Sequence, residues 1–316
     1  MENPLLRIVR HQGIAVLDGG LATALEAAGC DLDDELWSAS VLLEQPDLIR
    51  RVHLDFLESG ADCITSATYQ ATVGGFCRRG LSESEGIELL RRSVDLAIEA
   101  REAFWGRNEN RSGRLRPLVA ASVGPYGAYL ADGSEYTGLY EISDGDLYGF
   151  HRDRWHILAN CGADLLACET IPSRQEAQVF IRLLEETPAT WAWLSFTCCD
   201  AMHLRDGSRL VDAARVCDTQ PRVAAMGVNC TSPELISPLI AELGRVTDKP
   251  IIVYPNSGER YDPLRKDWLD TPTGIDWQEA AGGWARSGAS VIGGCCRVPP
   301  ETIAGMRRGL VTVSSP

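Results

Sequence analysis

The sequence has no long apolar run, a deficit of positive charge and few histidines. No apolar stretch approaches the ~20 residues needed to span a bilayer. The segment Met1–Gln12 carries Glu2, Arg7 and Arg10 and lacks the apolar centre of a signal peptide. A soluble, cytoplasmic protein is therefore expected. With 30 Lys and Arg against 44 Asp and Glu, the net charge is −14. That excludes a basic face for nucleic acid and attraction to an anionic membrane. The dinucleotide fingerprint G-x-G-x-x-G is also missing. Gly19-Gly20 is only a diglycine, and no phosphate-binding loop follows any apolar run. The five histidines are His11, His53, His151, His156 and His203. Two are expected in helices and one before the first strand. None ends a strand, so the sequence does not read as a zinc hydrolase with histidine ligands.

What the chain does have is cysteine, with eleven in 316 residues. An odd count in a large chain without a leader points to buried apolar residues, metal ligands or reactive thiols rather than a disulfide framework. The apolar fraction is 45% and the mean hydropathy −0.10, ample for one large core.

Eight short apolar runs end in Gly, Pro or polar residues. They are Ile14–Leu17, Ala61–Ala67, Leu118–Val123, Ala163–Cys168, Thr190–Thr197, Val223–Val228, Pro250–Tyr254 and Ala289–Ile292. Most are apolar throughout, as parallel strands covered on both faces are. Helical patterns lie between them. Pro46–Glu58 is amphipathic, and Ser82 with Glu85 forms a capping box before a long helix. Ser173 with Glu176 repeats that device. Ser232-Pro233 reads as an N-cap and first-turn proline, and Pro299–Arg308 is the last helix. The series predicts a single (β/α)8 TIM-type barrel over residues 1–316, with an open doubly wound sheet as the alternative. Arg107–Arg116 reads as a solvated linker. One long Gly- and Tyr-rich loop, about 124–150, follows the third strand; loops of that length are usually functional.

In such barrels the chemistry sits at the C-terminal ends of the strands. Cys198, Cys199, Cys230, Cys295 and Cys296 all directly follow a strand. Thiolates are soft ligands that select zinc over magnesium or calcium, and a catalytic zinc needs three protein ligands and one open position. Adjacent Cys295 and Cys296 can share an ion only if the backbone bends sharply, which Gly293-Gly294 would permit. Spacing alone leaves Cys198 and Cys199 as rivals. Asn229 and Asn256 read as hydrogen-bonding support, and Glu259 as either a pocket residue or a loop charge.

The sequence resembles the homocysteine S-methyltransferase family, in its S-methylmethionine-using branch. The segments that carry the likeness are LDGGLATALEAAGCDL from Leu17, ITSATYQAT from Ile64, SVGPYGAYLADGSEY from Ser122, ADLLACETIP from Ala163, GVNC from Gly227, VYPNSGERYD from Val253 and IGGCC from Ile292. The resemblance implies the same barrel. It implies zinc held by Cys230, Cys295 and Cys296, to the exclusion of Cys198 and Cys199. It further implies that Asp18 and Glu169 hold the amino group of homocysteine, and that Gly19 and Ser66 face its carboxylate. Family members often have Thr at the position of Ser66, which keeps the hydroxyl.

The implied reaction moves a methyl group from a sulfonium donor to the homocysteine thiol and gives methionine. S-methylmethionine is the expected donor and S-adenosylmethionine a poorer one; no protein nucleophile is required. A free thiol with pKa of ~8.5 is mostly protonated at neutral pH, and metal coordination removes that proton. Tyr126, Tyr129 and Tyr136 of the long loop are candidates for a cage around the cationic donor, or simply pack the loop. Competing readings are selenocysteine as acceptor, and a non-catalytic zinc-binding or redox-sensing barrel. The partners expected are small molecules, and the chain is expected to be a monomer.

Overall fold

The computed structural model describes residues 2–30, 38–262, 267–269 and 274–313. Met1, Asp31 and Leu32, which belong to segments named above, lie outside the described residues. Eight parallel strands form one sheet: β1 (Ala15–Val16), β2 (Cys63–Thr65), β3 (Leu118–Val123), β4 (Leu165–Ile171), β5 (Ala192–Phe196), β6 (Val223–Asn229), β7 (Ile251–Tyr254) and, after a two-stranded antiparallel ribbon β8 (Arg260–Asp262) and β9 (Asp267–Leu269), β10 (Ala289–Ile292). Their order is β1-β10-β7-β6-β5-β4-β3-β2. A bridge between Leu17 and Cys63 closes the circle. Asp18 N–H donates to the Cys63 carbonyl at 3.1 Å, and Asp62 N–H to the Val16 carbonyl at 2.6 Å. The expected (β/α)8 barrel is therefore the fold, and the open sheet is excluded.

Two buried apolar clusters follow from the two-residue period of a strand. Leu17, Ala120, Ala167, Trp193, Ala225 and Ile252 fill the barrel interior. Alternate residues such as Val16, Val119, Leu166, Leu194 and Val228 pack outward against the helices. The helix Pro4–Gln12 precedes β1. Asn3 caps it, accepting from Leu5 N–H and Leu6 N–H, and its Nδ2 donates to the Ala224 carbonyl at 2.7 Å. Leu5 and Ile8 of this helix join the interior cluster. One end of the barrel is thus plugged, and the other is left as the mouth.

Several elements differ from the sequence expectation. β4 runs on to Ile171, with a break in register against β5 between Cys168 and Ile171. Thr170 there has φ 59°. β6 includes Asn229, so this side chain projects from a strand rather than from the loop beyond it. The long loop is shorter than expected. It holds short helical turns at Tyr126–Leu130 and Ser134–Tyr136 and ends where Ser143 caps the helix Asp144–Ala159. The linker before β3 is not simply solvated, because Arg114 bonds the Ala61 carbonyl and the Asp62 carboxylate. The capping box at Ser82 and Glu85 is complete. At Ser173 only half of it forms: Ser173 accepts from Glu176 N–H, while the Glu176 side chain is drawn into the interior. Ser232 makes no side-chain cap, and its helix starts with a 3-10 turn at Pro233–Leu235. Four of the five histidines, rather than two, lie in helices.

Candidate metal centre and substrate cavity

The ends of β6 and β10 bring three sulfurs together. Cys230 directly follows β6, and Cys295 and Cys296 follow β10 after Gly293-Gly294. Each offers one Sγ, and the three lie within 4.8 Å of one another. Cys296 Sγ is 3.7 Å from Cys230 Sγ and 4.0 Å from Cys295 Sγ. Cys230 and Cys295 are joined as a disulfide, with Cα atoms 5.8 Å apart. Thiol donors at this spacing fit a soft ion once all three are reduced, because a metal ligand must be a free thiolate. Cys198 and Cys199 do not join the cluster: Cys198 is buried in the core, and the Cys199 thiol faces the carbonyls of His203 and Leu204. Cys198 and Cys199, the rivals that spacing alone left open, thus lie apart from the three-sulfur group.

The sharp turn at Cys295-Cys296 is built differently from the expectation. Gly293 and Gly294 are needed for close approach, not for a left-handed backbone. A Cβ on Gly293 would lie 2.6 Å from Leu17 Cβ, and one on Gly294 only 2.1 Å from a Val298 methyl. The left-handed positions are instead Cys230 (φ 43°) and Arg297 (φ 66°). Such strain in non-glycine residues collects at functional sites and must be held by neighbours. Asn229 does part of the holding. Its Oδ1 accepts from Thr170 N–H at 2.7 Å, and its Nδ2 donates to Thr170 Oγ1 at 2.8 Å and points at Cys295 Sγ at 3.8 Å. Cys295 N–H donates to the Pro255 carbonyl at 2.8 Å, and Cys230 N–H to the Tyr254 carbonyl at 3.3 Å. Glu259 pairs with Arg297 at 3.4 Å and bonds Ser257, so it braces the turn.

A cavity of about 120 Å³ opens beside the cluster. Asp18, Gly19, Ser66, Glu169, Cys230, Cys295 and Cys296 all line it, so the structure brings together the three expected metal ligands and the four expected substrate residues. Asp18 Oδ2 accepts from Thr65 N–H at 2.7 Å and Thr65 Oγ1 at 3.0 Å. Burial pushes its carboxyl up to about 8, and the nearby Glu169 adds to that. Burial likewise pushes Glu169 up to about 7, against the opposing hydrogen bonds of Ser122 and Tyr254. Two buried carboxyls that share a cavity without a cation are costly to ionise. A bound cation would oppose both shifts. Ser66 is placed differently from the other residues. Its hydroxyl bonds Thr68 Oγ1 at 2.7 Å and accepts from Ser122 N–H at 3.1 Å, so it already braces β2 against β3.

The tyrosines divide. Tyr126 packs with Tyr129, Tyr140 and Phe150, and Tyr129 with Phe150, at centroid distances of 4.9–6.1 Å, and Arg78 lies 4.3 Å over the Tyr129 ring. Neither lines the cavity. Tyr136 does, together with Tyr69 and Tyr254, so only one of the three cage candidates is positioned for that role. Sequence reading also missed Thr65 and Ser122, the partners of the two carboxylates. It missed Glu135 as well, although that residue lies inside the quoted segment SVGPYGAYLADGSEY.

The fold and the cavity together define a barrel enzyme that handles a small molecule at a sulfur-rich centre. A family model described as homocysteine S-methyltransferase matches residues 15–310. The chain is 51% identical over 301 residues to "Homocysteine S-methyltransferase YbgG" of Bacillus subtilis (strain 168), covering 95% of this chain and 96% of that one. It is 47% identical to "Selenocysteine Se-methyltransferase" of Brassica oleracea var. italica, covering 95% and 90%. Among solved structures, the homocysteine methyltransferase MmuM of Escherichia coli superposes in its oxidized form with TM-score 0.87 at 45% identity, covering 97% of this chain and 99% of that one. Its metallated form superposes with TM-score 0.85 at 46% identity, with the same coverage. The chain belongs to the homocysteine S-methyltransferase family and is an enzyme of that activity.

Proposed function

We propose that the enzyme transfers a methyl group from S-methylmethionine, and less well from S-adenosylmethionine, to L-homocysteine, with zinc held by Cys230, Cys295 and Cys296. The observation that carries this reading is the convergence of three sulfurs on a cavity with two buried carboxylates. The donor set fits zinc, being all thiolate, three in number and open toward the cavity. When bound, zinc supplies the Lewis acidity that strips the proton from the homocysteine thiol.

The rest is done by the chain. Asp18 and Glu169 receive the α-ammonium of homocysteine, with Thr65 and Ser122 fixing their orientation. Gly19 and Ser66 face its carboxylate across the cavity; because the Ser66 N–H already donates to the Ala120 carbonyl and its hydroxyl bonds Thr68, Ser66 shapes this wall and the Gly19 main chain makes the contact. The dry walls of the cavity keep the thiolate poorly solvated and so reactive. The thiolate sulfur forms a bond to the methyl carbon as the donor's S–CH3 bond breaks, and the electron pair stays on the donor sulfur. Both amino acids end as neutral thioethers. Selenocysteine would fit the same position as an acceptor.

The test is methyl transfer to homocysteine from each donor, with wild type and Cys230→Ser kept reduced. The expected result is faster transfer from S-methylmethionine than from S-adenosylmethionine, and a loss of about 100-fold or more in the variant. Transfer from neither sulfonium would refute the reading.

A further inference from the structure

The reaction passes a methyl group between two amino acids, each with an α-ammonium, yet Asp18 and Glu169 account for only one. The same cavity holds a second pair of acceptors. Glu135 is 5% exposed and lines the cavity. Its Oε2 is buried without a hydrogen-bond partner among the described residues. Gln70, 7% exposed, also lines it, and its Oε1 is a second buried acceptor without a donor among the described residues. The Gln70 amide is oriented by its Nε2, which donates to the Ala128 carbonyl at 2.9 Å. The next residue back, Gly127, lies against Glu135, since a Cβ there would stand 2.4 Å from Glu135 N. Gln70 and the Glu135 backbone thus both pack against the turn that holds Gly127 and Ala128.

Leaving buried acceptors unsatisfied is costly, and a carboxylate more so. Burial pushes Glu135 up to about 7, with Asp132 adding to the shift. Glu135 lines the same cavity as Tyr69, Cys295 and Cys296, so it shares one space with the sulfur cluster. The complement of two orphan acceptors, one of them anionic, is a cation rich in N–H donors. A sulfonium has no N–H, and a quaternary ammonium has none either. A primary ammonium has three.

We infer that Glu135 and Gln70 form a second ammonium site, which takes the α-ammonium of the methyl donor and so makes the enzyme selective for amino-acid sulfoniums. This inference rests on the methyl-transfer reading above. It gives the loop after β3 a role in recognising the donor by charge and hydrogen bonding. It also places Glu135 at a charge that persists through the reaction. The sulfonium charge vanishes as the methyl leaves, so a carboxylate beside it would favour the reactants over the transition state.

The experiment measures both Michaelis constants for wild type and Glu135→Gln, with S-methylmethionine and with (3-carboxypropyl)dimethylsulfonium, its analogue without the amino group. With S-methylmethionine the variant should show a donor KM raised about tenfold or more, and a homocysteine KM changed by less than about twofold. With the desamino donor the two proteins should perform alike, both poorly. Glu135→Gln should melt no lower than wild type, because a buried unpaired charge is removed. Were it to misfold, Gln70→Met with the same two donors provides the test, with a smaller rise expected. An unchanged donor KM would overturn the inference while leaving the methyl-transfer reading intact. So would a rise in the homocysteine KM instead. An equal loss with the desamino donor would place the carboxylate at the sulfonium and also overturn it. Absence of transfer by wild type from S-methylmethionine would remove the reading and this inference together.

Discussion

Thr170, Cys230 and Arg297 hold left-handed backbones at the ends of β4, β6 and β10. Each costs about 1–3 kcal/mol, and the compensating bonds are specific. Asn229 grips Thr170 with both ends of its amide and reaches toward the Cys295 sulfur. Asn229→Ala should therefore do two things. It should destabilise the protein by about 1–3 kcal/mol in urea unfolding, because Thr170 N–H is left buried and unpaired. It should also weaken metal retention about tenfold or more in a chelator competition, because ligand orientation depends on such supports. Retention equal to wild type would show that the cysteines need no help from Asn229. The two acidic residues make a separate prediction. Glu169→Gln should raise the homocysteine KM about tenfold, with the donor KM little changed. An effect on the donor alone would mean that the carboxylates are assigned to the wrong substrates.

At the scale of elements, the C-terminal ends of the strands create the site and the glycines let them close. Gly293→Ala would drive a methyl into Leu17 and Asp18 where β10 meets β1. It should cost about 1–3 kcal/mol and loosen the Cys295–Cys296 turn, read as lower metal content at unchanged secondary structure. The loop after β3 is anchored by Glu176, which is buried. Its carboxylate accepts from Tyr126 N–H at 2.6 Å, contacts His151 Nε2 at 2.7 Å and bonds the Tyr140 hydroxyl. Glu176→Ala should destabilise the protein by about 3–5 kcal/mol and make the segment 126–142 the first cut in limited proteolysis. Uniform protection of that segment would contradict the anchoring role. The sequence made the eight strands readable because parallel strands covered on both faces are apolar throughout. It made Cys230, Cys295 and Cys296 visible as strand-end residues, but only the family likeness chose them over Cys198 and Cys199. Glu176 looked like half of a capping box because sequence spacing cannot tell a side chain folded back on its helix from one buried against a neighbour. Glu135 was hidden for a related reason: a carboxylate in a Gly-rich loop looks solvated until the loop is seen to pack it inward.

For the whole molecule, the helix Pro4–Gln12 plugs one end of the barrel, so the mouth at the other end is where polar groups go dry. Asp18, Glu169 and Glu135 carry pKa values pushed up to about 8, 7 and 7 by burial. In the unfolded chain they return to about 4. Their contribution to stability is therefore full at low pH and is lost as pH rises toward about 8. His53 and His151, both buried and lowered to about 4, act oppositely, but only below the unfolded histidine value of about 6.5. Between about pH 6.5 and 8 the raised carboxyls set the sign, and the buried thiols Cys63, Cys168, Cys198 and Cys217, also raised by burial, act in the same direction, so the Tm of the metal-free reduced protein should fall over that range. Saturating homocysteine should reduce the fall by supplying a cation. A flat or rising Tm would show that the three groups are better solvated than the cavity suggests. The central claim is that three thiolates at the barrel mouth hold the zinc on which methyl transfer depends. Its most direct measurement is transfer from S-methylmethionine to homocysteine by reduced protein stripped of metal, before and after adding one equivalent of zinc per chain. The account predicts negligible transfer before and recovery after, with no recovery in Cys230→Ser. Full activity in the stripped protein, or recovery in that variant equal to wild type, would contradict it.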